Sequence, residues 1–162
     1  MFRSLLKFAV VLLIASWASA AFAQMPNAYG VSINVESAKK VAAPALAEAR
    51  KNNWNMAVAI VDTGGNLVYF ERMDATQAAS STIAVEKARS AVTFKRPTKA
   101  LQDALAAGGD GLRILGIPGA VPVEGGIPLL DQGKIVGAIG VSGGASNQDS
   151  QCAAAGAALM AK

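Results

Sequence analysis

The chain has 162 residues, one cysteine and no histidine, and its Lys and Arg residues outnumber its Asp and Glu residues by 15 to 11. Without histidine there is no Ser-His-Asp or Cys-His nucleophile pair and no His-ligated zinc, and a single cysteine forms neither an internal disulfide nor a thiolate cage. The densest basic spot, Lys95-Arg96, is too small for the basic stripe of a nucleic-acid-binding protein. We therefore expect no nucleic-acid partner.

Residues 1–23 have the pattern of a signal peptide. A basic MFRSLLK segment precedes the apolar run FAVVLLIASW, and Ala21-Phe22-Ala23 has the small-x-small form of a cleavage site. The apolar run is too short to cross a bilayer as a helix. We expect a periplasmic or secreted protein with no stable membrane anchor after cleavage; an uncleaved anchor and an earlier cut after Ala20 are the alternatives.

The start of the mature chain predicts a flexible N-terminal arm over residues 24–33, followed by one domain over residues 34–162. Asn34 is placed to cap a helix. Apolar residues with helical spacing follow it: Ala38, Val41, Ala42, Ala45, Leu46 and Ala49. Pro44 lies inside this pattern and predicts a kink or a break.

Two β-rich runs, residues 56–62 and 67–73, are joined by Thr-Gly-Gly-Asn, which predicts a hairpin. The first run is apolar on both faces and predicts a central strand. Strict alternation in the second run places Leu67, Tyr69 and Glu71 on one face and Val68, Phe70 and Arg72 on the other.

The remaining elements predict an antiparallel sheet covered by helices. They are helices over 80–94 and 98–107, an irregular loop over 112–126, a second hairpin over 127–144 turned at Gln132-Gly133, and a last, Ala-rich helix from about residue 147. Glycines at 137, 140 and 143 in the return strand predict close approach by another backbone, a helix or a ligand. Hairpins in place of βαβ crossovers make the sheet antiparallel.

The residues with the clearest binding chemistry are Arg72-Met73-Asp74, at the end of the second strand. An arginine at a strand end presents a fixed cationic fork that binds carboxylates bidentately, although a surface salt bridge is the alternative. The amides of Gly125-Gly126 close the irregular loop, where they either bind an anion or serve only the turn.

Three blocks of sequence follow one another in a specific order: IVDTGGNLVYFERMD, EKARSAVTFKRPT and PVEGGIPLLDQGKIVGAIGVSGG, before a late Asp149 and an Ala-rich helix. This combination resembles the GlcG/HbpS family of haem-binding proteins, the DUF336 type, which shares its fold with the C-terminal domain of PduO-type proteins. The resemblance runs from about residue 34 to the C-terminus.

The resemblance implies an α/β (α+β), profilin-like fold, with a five-stranded antiparallel sheet and helices on both faces, and a homo-oligomer formed through helix faces. It also implies a haem cofactor and ligand contacts by Arg72, Met73, Lys87, Thr93, Gly125 and Gly126. The family often has a histidine where this chain has Asn66. For haem iron the candidate ligands are therefore Met73, Tyr69 and Cys152, with Lys87 and Thr93 as further possibilities.

Three functions remain open at this point. The first is an exported haem-binding protein that stores, buffers or senses haem without a histidine ligand. The second is a periplasmic binding module for a small organic carboxylate, which uses the same cations and needs no metal. The third is an enzyme acting on haem or on a hydroxy acid, for which the sequence offers no clear nucleophile pair.

Overall fold

A computed structural model of the protein describes residues 27–160; the predicted signal peptide and the first residues of the predicted arm lie outside this range. The elements are α1 (Val35–Lys51), β1 (Ala57–Val61), β2 (Leu67–Arg72), α2 (Ala79–Thr93), α3 (Thr98–Ala106), a 3-10 helix (Gly109–Gly116), β3 (Gly126–Asp131), β4 (Lys134–Ser142) and α4 (Ser146–Ala157). Among these residues no helix combines the length and the hydrophobicity needed to cross a membrane.

The strands form one sheet in the order β2-β1-β4-β3, and every pair of neighbours is antiparallel. The two predicted hairpins and the antiparallel sheet between helices are confirmed. The prediction of five strands is wrong for residues 27–160, which form four. Strand β1 ends opposite Ala138, so the first residues of β4 are open to another strand on that side. Of the described residues, only Tyr29 pairs there, in an isolated parallel bridge to Ile135.

Residues 27–33, the described part of the predicted arm, contact the sheet and α2. The Gly30 amide donates to the Ile135 carbonyl at 2.8 Å, and the Tyr29 hydroxyl donates to the Val92 carbonyl at 2.8 Å. The Lys95 ammonium lies 4.3 Å from the centre of the Tyr29 ring, which adds a cation–π contact. The flexibility of the arm stays a prediction.

Helix α1 begins as predicted, because Asn34 Oδ1 accepts a hydrogen bond from the Ser37 amide at 2.8 Å. All six residues of the predicted apolar face are buried. The helix nevertheless continues through Pro44 without a break. Buried side chains on both sides of Pro44, including Val41 and Ala45, hold the helix against the sheet and offset the proline penalty of about 3 kcal/mol.

Helices cover both faces of the sheet. On one face, α1 and α4 pack on a cluster that includes Ile60, Ile139 and Cys152. On the other face, α2 packs on small residues such as Ala138, and a Cβ atom at Gly140 would collide with the Ala84 carbonyl of α2. The close approach predicted from the glycines of the return strand is therefore made by a helix at Gly140, whereas the Val61 and Asn55 carbonyls make it at Gly137 and Gly143. Likewise, Gly156 brings α4 against Val41 of α1, so the small-residue face of α4 packs within the chain.

Strand β2 contains an irregularity that strict alternation misses. Val61 pairs with Leu67 and Ile60 pairs with Tyr69, so Val68 is an extra residue in the ladder. As a result, Val68 and Tyr69 both pack on the α1 side of the sheet, whereas Leu67 shares a surface depression with Phe70 and α2. The predicted faces of Leu67 and Val68 are wrong for this reason.

Candidate functional site

The six residues predicted to contact a ligand lie in three separate places. Lys87, Gly125 and Gly126 are buried where β3 begins. Arg72 and Met73 line a pocket at the end of β2. Thr93 is exposed at the end of α2, where its carbonyl accepts a long hydrogen bond of 3.5 Å from the Tyr29 hydroxyl.

Lys87 forms an ion pair in the interior. Its Nζ lies 2.7 Å from Asp149 Oδ2 of α4 and 3.1 Å from the Val141 carbonyl, and the two side chains are only 1% and 4% exposed. The second carboxylate oxygen of Asp149 accepts the Gly144 amide at 3.0 Å. Burial raises the pKa of the Asp149 carboxyl above its ordinary value, while Lys87 and the nearby amides oppose this increase.

The ion pair connects the two helical layers, since α2 and α4 lie on opposite faces of the sheet. It passes beside Gly125, which has a φ of +120° and no side chain. A Cβ atom at this position would lie 2.8 Å from the Val141 carbonyl oxygen, which accepts from Lys87, and 3.0 Å from both Lys87 Nζ and Asp149 Cβ. Gly125 therefore provides both the backbone conformation and the space that the pair requires.

The other predicted anion-binding group, the Gly126 amide, donates to the buried Thr98 hydroxyl at 2.9 Å. In this structure both Gly126 and Lys87 thus bond to groups of the chain itself. Ligand contacts by Lys87, Gly125 and Gly126 stay a prediction, and they would require a ligand to displace these partners. The pairing of Lys87 with Asp149 was not predicted, because Asp149 was named only as a late residue after the family blocks. The one signal in the sequence is that Asp149 is the single acidic residue of an Ala-rich helix.

The accessible candidate site is the β2 pocket, a cavity of about 360 Å³ lined by Arg50, Asn55, Glu71, Arg72, Met73 and Asp74. Its volume is at the lower end of the range of ligand pockets, about 300–1,000 Å³. Arg50 Nη2 and Glu71 Oε1 form an ion pair at 3.2 Å. Within residues 27–160, Arg72 and Asp74 form no ion pair, and their side chains make no hydrogen bond.

A tight turn after β2 places these residues at the end of the sheet. The Met73 amide donates to the Met56 carbonyl at 3.0 Å, which extends the ladder by one residue beyond Arg72. The Thr76 hydroxyl then donates to the Met73 carbonyl at 2.8 Å, and Ala75 adopts a φ of +61°. The chain turns away from the sheet here, and the side chains of residues 72–74 border the pocket.

The three main candidates for an iron ligand differ in access and ionisation. Cys152 has no exposed surface, and burial raises the pKa of its thiol to about 11, so the thiolate form is disfavoured. The Tyr69 hydroxyl donates a hydrogen bond to Glu71 Oε2 at 2.7 Å, which raises the pKa of Tyr69 and disfavours the phenolate. Of the three, Met73 alone lines the β2 pocket, and a thioether needs no deprotonation.

The donor set of the β2 pocket fits part of a haem group. Met73 offers a soft ligand for iron, and Arg72 offers a cationic donor for a propionate carboxylate. Four of the six lining residues are charged, so the pocket does not enclose an apolar macrocycle. No group of three or more His, Cys, Asp or Glu residues in the described part of the chain could hold a bare metal ion.

Comparisons with solved structures show the same fold in haem-related proteins. HbpS from Streptomyces reticuli, crystallised as a double mutant, is 34% identical with a TM-score of 0.74, and the match covers 81% of this chain and 88% of HbpS. The PduOC–haem complex is 28% identical with a TM-score of 0.71, covering 79% of this chain and 94% of PduOC.

Comparisons of sequence agree with the structural matches. Protein GlcG from Escherichia coli K12 is 37% identical over 112 residues, which are 69% of this chain and 82% of GlcG. The family model described as "Haem degrading protein HbpS-like" matches residues 33–158, nearly the whole described domain. The chain therefore belongs to the HbpS-like family, as the three sequence blocks had indicated.

Proposed function

We propose that the protein binds haem at the β2 pocket and stores, buffers or senses it. The observation that supports this proposal is Met73 beside Arg72, which has no ion-pair partner among residues 27–160, in a chain whose structural relative PduOC was crystallised with haem. Met73 would hold the iron and Arg72 a propionate. Because the lining is charged, much of the macrocycle would stay outside the pocket, so we expect reversible binding, which suits buffering or sensing better than permanent retention.

A haem titration of the mature chain, residues 24–162, tests this proposal. We expect a saturable Soret band whose position changes in Met73→Leu, because leucine keeps the volume of methionine and lacks the sulfur atom. Met160→Leu is the matched control, since Met160 does not line the pocket. A linear response without saturation would contradict haem binding, and an unchanged spectrum in Met73→Leu would contradict the role of Met73.

A second function is supported by the size and charge of the same pocket. A cavity of about 360 Å³ with four charged residues also accommodates a small organic carboxylate. Thermal stabilisation by millimolar carboxylates in the absence of haem would support this function, because a ligand that binds only the folded state raises the melting temperature. The absence of any shift across a panel of carboxylates would exclude it.

An enzymatic role on haem stays the third hypothesis, and the family description names haem degradation. The same titration distinguishes it from storage. Progressive loss of the Soret band on addition of a reductant and oxygen, with the protein intact, would support degradation. A stable band under these conditions would support storage or sensing.

Export and self-association are further proposals. Cleavage after Ala23 predicts Gln24 as the first residue of the protein recovered from the periplasm or medium, which N-terminal sequencing tests.

The support for a homo-oligomer is the 3-10 helix, in which no residue is buried and Leu112 and Leu115 are 55% and 69% exposed. Light scattering after size-exclusion chromatography measures the number of subunits; a monomer would contradict the proposal.

A further inference from the structure

We infer that the β2 pocket recognises a small zwitterion of the free α-amino acid class, with the ligand carboxylate on Arg72 and the ligand ammonium on Asp74. This inference rests on the second proposed function, binding of a small carboxylate, and names the class of carboxylate.

The pairing of charges within the pocket leads to this class. Arg50 and Glu71 neutralise each other at 3.2 Å. Arg72 and Asp74 remain, one cation and one anion, and neither has a partner among residues 27–160. A simple carboxylate would pair with Arg72 but place its charge beside Asp74, and a simple amine would meet the reverse problem. Only a ligand that carries both charges satisfies both residues without repulsion.

The spacing of the two residues suits a short distance between the ligand charges. Arg72 and Asp74 are separated by one residue, so their Cα atoms are at most about 7 Å apart. In an α-amino acid, the carboxylate and the ammonium group are attached to the same carbon atom. A longer and more flexible zwitterion would lose more conformational entropy when both of its charges are held in place.

The other lining groups leave room for the side chain of an amino acid. Met73, half-buried between the two charged residues, offers an apolar and adaptable surface. Asn55 adds an amide that can donate and accept hydrogen bonds. The volume of about 360 Å³ accommodates a single amino acid.

Calorimetric titration of the mature chain with three matched ligands tests the inference. These are L-alanine, propionate, which lacks the ammonium group, and ethylamine, which lacks the carboxylate. We expect L-alanine to bind at least about tenfold more tightly than either analogue, which corresponds to about 1.4 kcal/mol. Equal binding of alanine and propionate would overturn the inference and leave carboxylate binding intact, whereas no binding of any carboxylate would overturn both.

Asp74→Asn gives a second, sharper test because it predicts opposite effects on two ligands. Removal of the Asp74 charge should weaken alanine binding about tenfold and strengthen propionate binding. Asp110→Asn is the matched control, since Asp110 is an exposed carboxylate outside the pocket. If Asp74→Asn changes both ligands in the same direction, Asp74 does not contact the ammonium group. The haem titration is a separate measurement, because it follows the Soret band and not the binding of alanine or propionate.

Discussion

The molecule contains two pairs of oppositely charged residues with different roles. Lys87 and Asp149 lie 2.7 Å apart in the interior, where they join α2 to α4 past Gly125. Arg72 and Asp74 border an open pocket and have no partner among residues 27–160. The three family blocks and the late Asp149 that follows them include all four residues, so a motif match alone does not separate charges that hold the fold from charges available to a ligand. Burial and pairing separate them.

The largest expected effect is on the interior pair. Lys87→Met should lower the free energy of unfolding by about 3–5 kcal/mol, because it leaves the Asp149 carboxylate buried without a counter-ion. Urea denaturation of the mature chain measures this change. The double variant Lys87→Met/Asp149→Leu should recover part of the loss, since it removes both charges. If the loss in the double variant equals the sum of the losses in Lys87→Met and Asp149→Leu, the two residues are not coupled.

Gly125→Ala should be the next most destabilising change, with a loss of about 1–3 kcal/mol from backbone strain alone. The added Cβ atom would also press on the Lys87–Asp149 pair. Gly133→Ala is the matched control, because Gly133 has a positive φ of +73° but no heavy atom within 4 Å of the added Cβ. We expect Gly125→Ala to cost more in urea denaturation. Equal losses would mean that strain, and not the ion pair, sets the requirement for glycine.

Cys152 extends the contrast to pH. Its thiol releases a proton near pH 9 in the unfolded chain, whereas burial raises the pKa to about 11 in the folded protein. Between these values the folded state binds more protons, so the free energy of unfolding should fall as the pH rises from about 9 to about 11. Comparison with Cys152→Ala isolates the effect of this thiol from that of other groups. Rapid alkylation of Cys152 at pH 8 in the native protein would contradict its burial.

Arg72→Ala should have the smallest effect on stability, within about 0.5 kcal/mol, because the side chain is exposed and forms no ion pair within the described part of the chain. Arg50→Ala is a useful comparison within the same pocket, since it removes the partner of Glu71. Urea denaturation of both variants tests the expectation. A loss of several kcal/mol in Arg72→Ala would place Arg72 among the residues that hold the fold.

Local patterns in the sequence predicted the elements but not the contacts between distant ones. The spacing around α1 and the turn residues of both hairpins identified five of the elements, because their determinants lie within a few residues of one another. The bulge at Val68 depends on pairing with β1, and no pattern within β2 reveals it. The continuity of α1 through Pro44 depends on packing against the sheet, which local propensity does not contain.

The candidate site shows the same division. Arg72 and Met73 were predicted at the end of a strand, and both line the pocket, because strand ends are visible in the sequence. Lys87 was grouped with them by resemblance alone. Its partner Asp149 is 62 residues away, and that long-range pairing places Lys87 in the interior.

The most direct test of the contrast between the two pairs is a haem titration of the wild-type mature chain, Arg72→Ala and Arg113→Ala, in which Arg113 is an exposed arginine outside the pocket. We expect a saturable Soret band in all three proteins. The affinity should be at least about tenfold lower in Arg72→Ala, as expected for a lost charge-assisted hydrogen bond of about 1.5–3 kcal/mol, and unchanged in Arg113→Ala. Equal affinities in Arg72→Ala and the wild type would contradict the assignment of Arg72 as the ligand-binding cation.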